Sequence, residues 1–303
     1  FSPAGSVKAD LSSSVSSLRT LANSGFAANA IGAKPVSESD RKSLATAIKD
    51  GYEFEPFWGN TLFKQGTELV AMQRGNLEMV NLAPADISKQ VPAWSVLTSA
   101  YLFRDANHLA AFFASEQGAM MKKMVEDQLK VKILGPTFFG TRHVGLKGKK
   151  KINTPADLAG VKLRMPPGDT WQMLGKSLGA NPTPMAYAET YTGLQTGAID
   201  GQDNPLSLTK NNNLQEVTQQ ITLTSHLVQP VFYAIAKPFW DKLSPAQQEA
   251  LRKAARESSK ANDDAKLAEE KQMVDFFLKA GLKVTTPDLN AFRASVDKQY
   301  QES

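Results

Sequence analysis

The chain has 303 residues, 42% of them hydrophobic and 21% charged, with a formal net charge of +5 and no cysteine. A chain of this length can bury a substantial core and, by size alone, forms about two domains. The absence of cysteine excludes a disulfide framework and thiol catalysis, and no apolar run approaches the ~18 residues that a membrane-crossing helix needs.

In chain order, the first fifty residues are rich in Ser, Ala and Gly and give no convincing opening strand; Ser39 to Lys49 is a candidate helix entering a strand at Tyr52. Tyr52-Glu53-Phe54-Glu55-Pro56-Phe57-Trp58 alternates as a strand does. Gly66 to Arg74 reads as a helix stopped by Gly75, and Leu77 to Val80 as the next strand. Helices are predicted over Leu102 to Gly118 and Met120 to Leu129, then a strand over Val131 to Leu134.

Thr154-Pro155-Ala156-Asp157-Leu158 reads as a helical turn with Thr154 at the cap and proline in the first helical position. After Gly160, Val161 to Met165 is a predicted strand that Pro166-Pro167-Gly168 forces into a loop. A helix is predicted next over Thr170 to Leu178, then a second from about Glu189 to Gly197. Ala198 to Gly201 makes a short strand and turn, leading to the polar cluster Gln202, Asp203, Asn204. Val231 to Ala236 is an apolar strand. Ser244-Pro245 opens one long helical stretch that runs to Lys279 and Gly281; Leu282 to Thr285 and a helix from Asp288 close the chain.

The segment 152–205 concentrates the chemistry. Arg164 lies near the carboxyl end of a predicted strand, where open α/β sheets bind ligands. A planar guanidinium offers parallel donors that match a carboxylate, so Arg164 with the amides near Pro205 points to capture of an anion.

The run KLRMP, the phrase LGANPTPMAYAETYTGLQTGAIDGQDNP and the lead-in TPADLAG resemble the signature of the solute receptors of tripartite ATP-independent periplasmic (TRAP) transporters, the DctP-type binding proteins. The likeness is strongest over about residues 137 to 245 and continues more loosely into FWGNTLFKQGTELVAMQRGNLEM and the C-terminal helices. It implies an α/β fold of two lobes with crossing strands and a long helix spanning both. Residues 1–139 and 230–268 would form the first lobe, and 140–229 and 269–303 the second. It also implies a periplasmic receptor, its signal peptide removed, that binds a small organic acid, takes no cofactor or metal, and hands its ligand to TRAP membrane subunits.

Position by position, the resemblance assigns Arg164 to a two-pronged salt bridge with the ligand carboxylate, Arg142 to a second cleft arginine, Tyr187 to an aromatic contact and Asn204 to a hydrogen bond. Asn60, Gln65 and Asn81 fall near first-lobe contacts, and Trp171 is a further aromatic candidate. A hydroxylated acid such as a sugar acid is favoured, with a dicarboxylate as the alternative because Arg142 offers a second charge.

Each residue also has a plainer role. Arg164 can pair with Asp157 or Asp169, Asn204 can be a turn residue, Tyr187 and Trp171 can be core aromatics, and Arg142 can belong to the basic surface stretch of Lys147, Lys149, Lys150 and Lys151. Dispersed basic residues with no nucleic-acid motif argue against a nucleic-acid partner. The isolated His108, His143 and His226 give a metal no spacing. No GxSxG elbow or phosphate loop is present. Glu189 and Asp203 as an acid/base pair, on an enzyme of related scaffold, is the remaining alternative.

Overall fold

A single mixed sheet runs through the molecule, and its order shows how two apolar cores share it. The computed structural model describes residues 16–21, 52–57 and 62–302. The strands are β1 (Ser16–Leu21), β2 (Tyr52–Pro56), β3 (Met79–Leu82), β4 (Val131–Leu146), β5 (Lys162–Met165), β6 (Asn181–Pro184), β7 (Gly201–Pro205), β8 (Gln220–Ala236) and β9 (Lys283–Thr285). Their order is β2-β1-β3-β8-β4-β7-β5-β6, with β9 on β8. The pairs β1–β2, β1–β3, β5–β6, β5–β7 and β8–β9 are parallel, whereas β3–β8, β4–β8 and β4–β7 are antiparallel.

The antiparallel ribbon of β4 and β8 joins the two halves. Early β4 residues Val131, Ile133 and Phe138, with Phe232, Ala234 and Ala236 of β8, enter one apolar cluster. Farther along, Phe139, Val144 and Leu146 enter a second cluster with Leu227, Leu163, Met165, Trp171 and Leu174. In the first, Phe232 is packed edge-on by Trp94 and Phe113, each with ring centroids 5.0 Å away. This is the two-lobed α/β arrangement, with the strands crossing between lobes.

A 35-residue helix, Pro245–Lys279, lies along that crossing. At 1.5 Å per residue it is about 50 Å long. Its start agrees with the sequence reading: Ser244 Oγ accepts from Gln247 N at 3.3 Å, and Gln247 Oε1 accepts from Ser244 N at 2.9 Å. Midway it grips β4 where the ladder is interrupted. Register shifts between Ile133 and Gly135 and between Phe138 and Gly140 disturb the regular pairing. Asp263 Oδ1 accepts from Phe138 N at 2.7 Å, and Glu270 Oε1 accepts from Thr141 N at 2.5 Å. Two helical turns and three strand residues both rise about 10 Å, so the two carboxylates meet both amides with helix and strand side by side. Gly140, at φ 138°, sits between them, and a Cβ there would lie 2.6 Å from the Pro205 side chain.

Local composition misplaced several boundaries. An opening strand, β1, does exist and lies between β2 and β3; residues 39–49, the candidate helix, lie outside the described residues. The helix expected over Leu102 to Gly118 is shorter, Ala106–Ala114, because the Asp105 side chain caps it through His108 N and Ser115 caps a new helix, Glu116–Leu129. The predicted strands 131–134 and 231–236 are only the ends of β4 and β8, which continue through Gly135-Pro136 and through buried polar residues that hide the alternation. Asn181-Pro182-Thr183-Pro184 is not a connector but the edge strand β6, where a residue without an amide proton is tolerated. The polar cluster lies within strand β7 rather than after it.

Candidate functional site

Four neighbouring strands, β5, β7, β4 and β8, bring buried polar side chains to one place. On β5, Leu163 and Met165 enter the second apolar cluster, so strand alternation turns Arg164 to the opposite side. The pairing register sets Arg164 beside Thr183 of β6 and Gln202 of β7.

Arg164 is fully buried and only partly satisfied. Its Nε donates to Met185 O at 2.9 Å, while neither Nη1 nor Nη2 has a hydrogen-bond partner among the described residues. The alternative partner Asp157 is committed elsewhere, its Oδ2 accepting from the amides of Asn153 and Thr154 at 3.0 and 2.9 Å. Burial pulls the Arg164 guanidinium down to about 10, with the Asp203 carboxylate opposing and the Arg142 charge adding to the shift. It therefore remains cationic at neutral pH. The Tyr187 ring centroid lies 5.5 Å from Arg164 Cζ. The Tyr187 hydroxyl is likewise buried without a partner among the described residues, and burial raises its pKa so that it stays neutral.

Arg142, on β4, has a different environment. Its Nε donates to Asp203 Oδ2 at 2.7 Å and its Nη2 to Asp203 Oδ1 at 2.9 Å. Nη2 also reaches the Asp203 carbonyl and, at 3.2 Å, Asn204 Oδ1; Nη1 donates to Gln229 Oε1 at 2.7 Å. The Trp171 ring lies against its guanidinium, 4.9 Å from centroid to Cζ. Burial alone would raise the Asp203 carboxyl. The Arg142 charge and the hydrogen bonds from His226 and Arg142 outweigh burial and hold it well below the usual carboxylate range.

β8 completes this network through an irregularity. Residues 223–226 bulge opposite His143, since Arg142 faces Leu227 while Val144 faces Thr222. Ser225 takes the left-handed conformation, φ 47°. His226 Nε2 then lies 3.1 Å from Asp203 Oδ2, and its Nδ1 2.8 Å from Thr224 Oγ1. Burial lowers the His226 pKa against the opposing pull of Asp203, and burial with the nearby His226 takes His143 down to about 3.

The remaining candidates are arranged around this core. Asn204 Nδ2 donates to Gln202 Oε1 within β7. Gln65 Oε1 accepts from Tyr187 N at 3.1 Å, a contact between segments 122 residues apart in the chain. Asn81 is a buried polar residue of β3, paired in register with Tyr233 of β8. Trp171 is buried in the second core with its face toward Arg142. Asn60 lies outside the described residues.

Sequence reasoning did not give Gln229 or His226 a place here, and it offered Asp203 as a member of the polar cluster or of an acid/base pair and not as the partner of Arg142. Apart from this network, Glu68 is 1% exposed, and its Oε1 has no partner among the described residues. Burial, reinforced by Asp86, raises its carboxyl to about 8. At neutral pH it is a neutral group able to donate a hydrogen bond.

A buried guanidinium beside a buried phenol, each with polar atoms unpartnered among the described residues, is an arrangement that can receive an anion. The sequence profile of bacterial extracellular solute-binding protein family 7 (DctP) matches residues 41–303. The chain belongs to this family. Within it, the chain is 29% identical over 240 residues to a sialic acid-binding periplasmic protein of Vibrio cholerae, covering 78% of this chain and 74% of that one. Its fold is similar to that of a TRAP periplasmic solute-binding protein from Roseobacter denitrificans with bound 3-deoxy-D-manno-oct-2-ulosonic acid. That likeness has TM-score 0.88 and 38% identity, and covers 96% and 94% of the two chains. A second Roseobacter denitrificans TRAP protein, with bound L-galactonate, superposes with TM-score 0.83 at 25% identity over 95% and 94% of the chains. Family 7 membership makes the chain an extracellular solute-binding protein, and among the described residues no helix is long and apolar enough to cross a membrane.

Proposed function

We propose that this chain is the periplasmic receptor of a TRAP transporter, that it closes on a small hydroxylated organic acid of the sugar-acid type, and that Arg164 takes the carboxylate. The observation that carries this reading is the pair of buried Arg164 Nη groups with no partner among the described residues. A buried donor left unsatisfied costs about 1–3 kcal/mol, more when charged, a cost that a bidentate carboxylate removes. Tyr187 offers a ring face and a hydroxyl beside it. The similar proteins with bound 3-deoxy-D-manno-oct-2-ulosonic acid and L-galactonate support the same chemistry.

The lobes in this reading are residues 1–139 with 230–268 and 140–229 with 269–303, hinged on the ribbon of β4 and β8 and on the long helix. Gln65 meeting Tyr187 is a contact that closure would form. A ligand bridging both lobes favours the closed form because both walls contact it only there. The closed form is then what the membrane subunits receive. The ligand leaves unchanged, so the protein is a receptor and not an enzyme.

Thermal unfolding in the presence of a panel of acids tests this. Gluconate, galactonate, glucuronate, galacturonate and 3-deoxy-D-manno-oct-2-ulosonate would be compared with glucose and galactose. At ligand concentrations about 100-fold above Kd, at least one acid should raise Tm by about 5 °C. The uncharged sugars should leave it unchanged. Stabilisation by a neutral sugar equal to that by its acid would remove the role given to Arg164.

A further inference from the structure

We infer that the site selects a ligand with one negative charge over one with two, and that Asp203 sets this limit by occupying Arg142. The inference rests on the proposed role of Arg164 and narrows it to a substrate class.

Two arginines reaching toward one crevice would ordinarily suit a dicarboxylate, one charge on each. The geometry removes that option. Both oxygens of the Asp203 carboxylate are taken up by Arg142, at 2.7 and 2.9 Å, in a fork-on-carboxylate arrangement. The remaining Arg142 donors go to the Asp203 carbonyl, Asn204 Oδ1 and Gln229 Oε1. Trp171 covers a face of the guanidinium. Arg142, Asp203 and His226 are all fully buried, so water does little to screen this pair.

Among the described residues, the charges that act on Arg164 are those of Asp203, Arg142 and Glu189, with the Tyr187 hydroxyl neutral. Glu189 is exposed, its Oε2 accepting from Ala186 N at 3.2 Å, and is screened by solvent. His226 is shifted toward its neutral form. Among the described residues, the two buried guanidinium charges of Arg142 and Arg164 against the one buried Asp203 carboxylate leave a single uncompensated positive charge, on Arg164. One ligand carboxylate neutralises it. A second would find the other buried guanidinium, Arg142, already taken by Asp203, and a buried charge left unpaired is costly.

Calorimetric titration of the wild-type protein provides the test. The probes are gluconate, galactonate, glucuronate, galacturonate and 3-deoxy-D-manno-oct-2-ulosonate, with glucarate and galactarate as the dianionic counterparts. The tightest hexonate or hexuronate should bind at least about 100-fold more strongly than the matching dianion. Whatever dianion binding remains should take up about one proton, read from titrations in buffers of different ionisation enthalpy, because the second carboxyl enters protonated. Asp203→Asn frees one positive charge with little change of shape and should shift the ratio at least about 10-fold toward the dianion.

A wild-type protein that binds glucarate or galactarate as tightly as the monoanion, without proton uptake, overturns the inference and leaves the role of Arg164 standing. An unchanged ratio in a folded Asp203→Asn protein overturns the assignment to Asp203. If that variant does not fold, the wild-type ratio and proton count decide. Binding of no acid at all removes the proposed role of Arg164, and this inference with it.

Discussion

Replacing Arg142 with methionine should lower the stability of the unliganded protein by about 3–5 kcal/mol, the cost of stranding one partner of a buried ion pair. Among the described residues the Asp203 carboxylate would keep His226, at 3.1 Å, and Gln229 would lose the donor to its Oε1. Urea unfolding of wild type and variant measures this. The pH dependence gives a second readout. In the wild type the Asp203 carboxyl is held below its unfolded value, so its contribution is present above about pH 4 and is lost as pH falls through the folded value. In Arg142→Met burial acts with the arginine gone and the Asp203 pKa rises. The variant should then recover stability as pH falls from 7 toward 4, while the wild type does not. A loss below about 1 kcal/mol would mean that the pair contributes little net stability and that Arg142 is not held in this way.

Arg164→Met should have the opposite profile. Its guanidinium is buried, and two of its nitrogens bond to nothing among the described residues, so an apolar side chain of similar length relieves a desolvation cost. The unliganded variant should be as stable as the wild type or more so. Ligand binding should weaken by about 2–5 kcal/mol, a factor of at least about 30 in Kd. Chemical unfolding without ligand and calorimetric titration with the tightest acid of the panel separate the two effects. A variant as unstable as Arg142→Met would mark Arg164 as a structural residue; unchanged affinity would remove it from the site.

That contrast between two buried arginines was only half legible in the sequence. The setting of Arg164 could be read locally: an apolar strand, then Pro166-Pro167-Gly168 forcing a loop at its carboxyl end. The long helix was equally legible, since Ser244, Pro245 and Gly281 mark its ends. What occupies Arg142 could not be read, because Asp203 and Gln229 lie 61 and 87 residues away and meet it only through the β4–β7 and β4–β8 registers. Gln202-Asp203-Asn204-Pro205 carries turn composition, and only burial between β4 and β5 makes a strand of it. β6 was hidden by its two prolines and β1 by its serine-rich surroundings. Asn60 and the segment 39–49 lie outside the described residues. The resemblance to TRAP receptors therefore supplied the plan of the molecule, while the division of labour between the arginines came from hydrogen bonds that local patterns do not encode.

The most direct test is a crystal structure of the protein grown with the tightest-binding acid of the panel. The ligand carboxylate should lie with its oxygens within about 3 Å of both Arg164 Nη1 and Nη2, with Arg142 still paired to Asp203. A ligand whose carboxylate sits on Arg142 with Asp203 displaced, or that binds outside this crevice and leaves both Arg164 nitrogens unpartnered, would contradict the role given to Arg164.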